Sequence, residues 1–251
     1  MSLYVYAISR AEDGETPLLD GILEQPVYQV QRGSLAAIVS DCQLEVMRPE
    51  RRHLSANQKV LSAFNARRDI LPMAFGTVAE SEESLGQFLD EHQDGLTTQL
   101  ANISGAVEMA LKLSLDVADP IAYLFEHTRE LEAARRRAFR RGREPSYDEK
   151  LRLGQLCDES MRRYREALTA RVLAIVRPSC KDVMVLPVHE EREVAHLAVL
   201  APRAGLDEFQ AAVEASADQF DDDLAFSIHG PWPPHTFASV RPVMNGRAGG
   251  R

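Results

Sequence analysis

The chain has 251 residues, 45% of them hydrophobic and 27% charged, and a formal net charge of -9. That is the composition of a folded, water-soluble chain with room for one large domain or two ordinary ones, large enough to form a core without disulfides or metals. The acidic total repels phosphate backbones and argues against a general nucleic-acid binder. The three cysteines, Cys42, Cys157 and Cys180, stand far apart with no CxxC pair, which suits reduced thiols in a cytosol and neither a disulfide framework nor a zinc site.

The N-terminal MSLYVYAISR has no basic leader, and no stretch approaches the length of a membrane span. A cytoplasmic protein without membrane contact is the expectation. Tyr4 to Ile8 reads as a buried strand, and the polar segment from Ser9 to Gln25 as a loop. Val27 to Val30 and Leu35 to Val39 flank Gln31-Arg32-Gly33-Ser34, a hairpin with a four-residue connection. Ser55 and Gln58 form a capping-box pattern ahead of Val60, Leu61 and Phe64. Ile70 to Val78 reads as one strand, with Pro72 at its start or on an edge. Ser81 opens a single helix whose stripe runs from Leu85 through Phe88, Leu89, His92 and Leu96 to Leu100.

Asn102 to Gly105 is the expected domain boundary. Ala106 to Leu115 alternates as a strand. Asp119-Pro120 starts a helix that continues to about Arg141, and Ser146 with Glu149 caps the next, which Pro178 ends. Asp182 to Val188 and Val194 to Leu200 are strands around a charged turn, Leu206 to Phe220 a helix, and Leu224 to His229 a last strand. The order from Ala106 is β, α-hairpin, β, β, α, β, a split βαβ order with an added helix. The fold class is therefore α+β in two domains, the second ferredoxin-like with an inserted helical hairpin. The divisions fall at 1–103, 104–240 and a frayed tail over 241–251.

Chemistry is scarce. No GxGxxG, P-loop, HExxH or GxSxG pattern occurs. His189 and His196 flank a turn and could meet a metal only with help from Glu190 or Glu191; one solvated and one packed histidine is the simpler reading. Asp221-Asp222-Asp223 lacks the EF-hand spacing and reads as a solvated turn. His53 and Glu108 read as structural. No catalytic residue, cofactor or metal is expected, and the chain reads as a non-enzyme. Arg135, Arg136, Arg137, Arg140, Arg141 and Arg143 crowd a helix end. They are either a solvated terminus that complements the helix dipole, with acidic partners such as Asp148, Glu149, Asp158 and Glu159, or a docking patch for an acidic partner.

Three segments carry a resemblance. Tyr4-Val5-Tyr6-Ala7-Ile8 opens the chain, Ile70-Leu71-Pro72-Met73-Ala74-Phe75-Gly76-Thr77-Val78 follows, and Gly230-Pro231-Trp232-Pro233-Pro234-His235-Thr236-Phe237 lies near the end. Together they resemble the gas vesicle GvpF/GvpL family across nearly the whole chain. His235 stands where the family often has tyrosine, Asn57 where a histidine is expected, and Ala74 where a basic residue is common.

The resemblance implies an accessory or minor structural protein of gas vesicle assembly that binds the hydrophobic major shell protein and other accessory proteins. It also implies a two-domain α+β fold. Partner contacts would draw on Met73, Phe75 and Trp232, each divided between core and surface, and on Arg136, Arg137 and Arg140. The alternative is a small-molecule-binding regulator, since ferredoxin-like domains host many functions.

Overall fold

In the computed structural model, which describes residues 1–11, 17–43, 47–140, 144–217 and 219–238, the first apolar run forms β1 (Ser2–Arg10). β1 pairs antiparallel with β3 (Leu35–Cys42), and β3 with β2 (Val27–Arg32). Arg32 pairs directly with Leu35, so the hairpin turns over two residues, Gly33 and Ser34, and not the four expected. β1 carries a bulge: Val5 faces Val39 but Ala7 faces Ile38, leaving Tyr6 extra. The bulge resets the alternation. Leu3, Val5 and Ile8 enter one core cluster, while Tyr4, Tyr6 and Ala7 enter another on the opposite face.

Both faces of this sheet are covered, which is why β1 reads as a continuous apolar run and not as an alternating one. Val60, Leu61 and Phe64 of α1 (Arg51–Asn65) pack with the tyrosines. Leu85, Phe88 and Leu89 of α2 (Glu82–Glu91), with Leu96, Leu100 and Ile103 of α3 (Gln93–Ile103), pack on the other side. Ser81 caps α2 as expected, with Ser84 completing the box. Two helix boundaries differ from the sequence reading. α1 begins five residues earlier, at Glu50 and not Ser55, because His53 is already buried and the packed face extends back to it. The expected long helix breaks at His92, which bonds the Phe88 carbonyl at 2.9 Å.

The expected strand from Ile70 to Val78 is divided. β4 (Ile70–Pro72) and β5 (Val78–Ala79) pair with successive parts of β1 along the same edge, and a turn over Ala74 to Thr77 leaves the ladder between them. Pro72 ends β4 instead of starting it, still on the outer strand where its missing donor costs no ladder bond.

The second antiparallel sheet has β6 (Ala106–Leu115) and β8 (Glu193–Pro202) at its centre, with β7 (Asp182–Leu186) and β9 (Leu224–Trp232) at its edges. Its order is β7-β8-β6-β9, and that of the first sheet is β2-β3-β1-β4. In both, the second, third, first and fourth strands of a run lie side by side, although the sequence carries no repeat.

Between β6 and β7 come α4 (Pro120–His127), α5 (Arg129–Ala138) and the 30-residue α6 (Tyr147–Val176), roughly 45 Å long at 1.5 Å per residue. Asp119 caps α4 and the Ser146–Glu149 box caps α6, both as expected. The helix expected to run unbroken to Arg141 instead breaks at Thr128. Leu124 and Leu131 pack on Cys157 and Met161 in a small separate core. α7 (Leu206–Ala217) follows β8, and Phe220 lies past its end, stacked by Arg171 at 4.2 Å. The division into two compact units is not a single cut: residues 1–108, 200–204 and 230–251 form one, and 109–199 with 205–229 the other.

Candidate functional site

The tyrosines of β1 position the loops of the first unit. Burial pushes the Tyr4 phenol up to about 12, and its hydroxyl donates to Asn57 Oδ1 at 3.1 Å while accepting the Gly76 amide at 3.1 Å. That holds the Ala74–Thr77 turn against the sheet. Gly76 has φ +86°, a conformation strained for any side chain. The turn is closed by the Thr77 amide and hydroxyl, which donate to the Ala74 carbonyl at 3.1 and 2.7 Å. Tyr6 does the same for the preceding loop, accepting the Ile22 amide at 2.7 Å and bonding Ser40 Oγ at 2.9 Å. Asn57, which stands where the resemblance suggests histidine, is thus a hydrogen-bond acceptor for the first strand. Within this loop Met73 is buried in the core, and Phe75 is half-buried, edge-on to Tyr4 at 6.2 Å.

The segment after Gly230 is anchored by Glu108. This carboxylate is 8% exposed and accepts the Thr236 amide at 2.7 Å and the Thr236 hydroxyl at 2.6 Å. Phe237 then packs on the core of the first unit, and Pro233 and Pro234 are buried. Trp232 is different: 39% exposed, it presents part of its ring to solvent. A nearby node fixes the start of β6. Asp69 accepts the Ser104 hydroxyl and the Gly105 amide, and Arg203 lies 3.6 Å from Asp69 while donating to the Asn65 carbonyl.

In the second unit, α6 and the strands β7 and β8 enclose a groove of about 630 Å³. Met161, Leu173, Val185, Leu186 and Val194 give it apolar walls, and His196 lines it too. β7 is the sheet edge beside this groove, and its Met184 and Val185 are 43% and 55% exposed. Beneath lies a buried acid. Burial works to raise the Glu193 carboxyl, but the His189 amide at 2.8 Å, Lys112 at 3.1 Å and His196 outweigh it and hold it below the usual carboxylate range. His189 is exposed and His196 mostly buried, its Nδ1 3.8 Å from Glu193, and among the described residues no cluster of three or more acidic, histidine or cysteine side chains is arranged to hold a metal. The sequence reading missed this groove. The exposed Val183 to Leu186 edge was legible as a strand, but nothing local marks a strand as outermost.

The arginine run ends α5. Arg135, Arg136, Arg137 and Arg140 are exposed; Arg141 and Arg143 lie outside the described residues. Arg136 pairs with Glu132 one turn back, and Arg135 lies over the Phe125 ring at 5.7 Å. Of the carboxylates expected to neutralise the run, Glu149 takes part in the α6 cap, and Glu159 pairs with Arg162 and Arg163.

Two solved structures share the fold: gas vesicle protein GvpF from Anabaena sp. PCC7120, with TM-score 0.84, 24% identity and coverage of 96% of this chain and 99% of that one, and GvpF from Microcystis aeruginosa, with TM-score 0.79, 24% identity and coverage of 95% and 99%. Among relatives, gas vesicle protein F of Streptomyces sp. (strain CB03234) is 30% identical over 94% of this chain and 99% of its own length. Gas vesicle protein L1 of Halobacterium salinarum is 25% identical over 94% and 89%. These relatives carry gas vesicle names and not enzyme names, and residues 2–239 match the family described as gas vesicle synthesis protein GvpL/GvpF. The chain belongs to that family, and its membership supports a role in gas vesicle formation.

Proposed function

We propose that this protein is a non-catalytic accessory or minor structural component of gas vesicle assembly, binding the hydrophobic major shell protein and other accessory proteins. The observation that carries the reading is the family match across residues 2–239. A shell subunit with apolar strands or helices aggregates unless that surface is covered until polymerisation, so a chaperone-like partner needs exposed apolar area of its own. Met184 and Val185 on the free edge of β7, together with half-exposed Trp232, are of that kind, whereas Met73 is committed to the core. Phe75 is half-buried against Tyr4.

The order β7-β8-β6-β9 is consistent with a ferredoxin-like split βαβ arrangement, with α4 to α6 as its enlarged helical connection. The protein works in the cytoplasm and on the vesicle, without nucleic acid, membrane, cofactor or metal; no described helix is long and apolar enough to cross a membrane. Co-expression of the tagged chain with the shell protein tests the reading. Shell protein in the soluble eluate, and less of it in the pellet, is expected. Shell protein that stays wholly in the pellet, with none retained by the tag, overturns it.

A further inference from the structure

Among the described residues, the cations at the end of α5 outnumber the carboxylates paired with them. Arg135, Arg136, Arg137 and Arg140 set four guanidinium groups against one carboxylate, Glu132. Among the described residues Arg137 and Arg140 have no ion pair or hydrogen bond, while Glu130 pairs with Arg163, Glu144 with Lys150 and Glu159 with Arg162. Like charges this close repel, and nothing in the packing of α5 requires them, since its buried residues are Leu131 and Ala138. Arg135, Arg136 and Arg140 line a concavity of about 730 Å³ together with Phe139, which is 52% exposed, and Arg137 stands exposed beside them on the helix. Arg135, stacked on Phe125, and Arg136, held by Glu132, are already oriented, which lowers the entropy lost on binding.

We infer that this concavity docks an acidic segment of a partner protein that carries an apolar side chain. The carboxylates engage Arg136, Arg137 and Arg140, and the apolar side chain covers Phe139. Charge complementarity selects the occupant: a chain of net charge -9 presents here a local surface of the opposite sign. The same net charge disfavours a nucleic acid or an anionic lipid surface, each of which would bring extended negative charge against the whole molecule and not against one helix end. The inference rests on the reading of this protein as an assembly component, because that reading supplies protein partners.

The full-length protein is titrated by fluorescence anisotropy against a labelled dodecapeptide of glutamate, serine and glycine with a central leucine. Controls are the same peptide with glutamine for glutamate, a single-stranded oligonucleotide and phosphatidylserine vesicles. The acidic peptide should bind, more weakly as salt rises. The triple variant R136Q/R137Q/R140Q should lose about tenfold or more in affinity with an unchanged melting temperature. F139S should lose several-fold for the leucine peptide and nothing for an all-polar acidic one.

Equal binding by the triple variant, no binding by the wild type, or preference for the oligonucleotide or the vesicles overturns the inference. So does a salt-sensitive dimer, seen by sedimentation, that the triple variant abolishes, since a second copy would then be the occupant. Shell-protein capture is measured in parallel. Wild-type protein that binds the peptide but captures no shell protein sinks the assembly reading and leaves this site standing, whereas capture without peptide binding does the reverse.

Discussion

Replacing Glu108 should release the family's terminal motif from the first unit. The carboxylate accepts two hydrogen bonds from one residue, the Thr236 amide at 2.7 Å and the Thr236 hydroxyl at 2.6 Å, at a position 8% exposed. Charge-assisted bonds contribute about 1.5–3 kcal/mol each, and removal of the acceptor also strands a donor. Glu108→Ala should therefore cost about 3 kcal/mol. Glu108→Gln keeps the shape but substitutes neutral bonds and should cost about 1 kcal/mol. Thr236→Val removes the hydroxyl and keeps the amide, so the cycle with Glu108→Ala isolates the hydroxyl bond, with an expected coupling of about 1–2 kcal/mol. Urea unfolding reads these values, and the single tryptophan, Trp232, four residues from Thr236, reports locally. A cost below about 0.5 kcal/mol for Glu108→Ala, or strict additivity in the cycle, would refute the anchoring role.

Further outcomes follow from other buried polar groups. Tyr4→Phe leaves the Gly76 amide and Asn57 Oδ1 without their partner and should cost about 2–4 kcal/mol in thermal or urea unfolding, while an unchanged midpoint would show that water replaces the hydroxyl. Because burial holds the Tyr4 phenol un-ionised to about 12 when its ordinary value is 10.0, its contribution to stability is intact at neutral pH and is lost as pH rises between those values. A Cβ at Gly21 would lie 2.1 Å from the Tyr6 hydroxyl, so Gly21→Ala must displace that ring or the loop, with an expected loss of about 2 kcal/mol in the same assay. Glu193 is held ionised below the usual carboxylate range, so it stabilises the fold above that range and ceases to as pH falls through its own lower value. A melting-temperature series from neutral to acid pH should fall more steeply for the wild type than for Glu193→Gln, and parallel curves would exclude it as a source of acid lability.

Secondary structure in this protein was largely legible where the signal is local. The Ser146–Glu149 box, the Asp119-Pro120 start and the strand Ala106–Leu115 depend on residues within one or two turns, and all three form as read. The family motifs were legible as strings. What misled was continuity: Ile70 to Val78 looks like one strand because nothing in it announces that Gly76 turns out of the ladder to meet Tyr4. Likewise His92 and Thr128 sit inside periodic apolar patterns, and only the packing of α2, α3, α4 and α5 shows where the helices break.

Composition, caps and periodicity, all short-range or additive properties of the chain, determined by themselves that it mixes helices and strands, and its motif segments, in their order, carried the resemblance to the gas vesicle GvpF/GvpL family. Tertiary structure alone decided which groups are left over. The edge position of β7 depends on strand order, and the pairing of Glu159 with Arg162 depends on the course of α6. The anchoring of Thr236 by a carboxylate 128 positions away depends on the closure of the first unit around both. Such pairings are set by the energy of the whole packed arrangement, in which a residue's partner is chosen among all surfaces the fold brings near it and not among its neighbours in sequence.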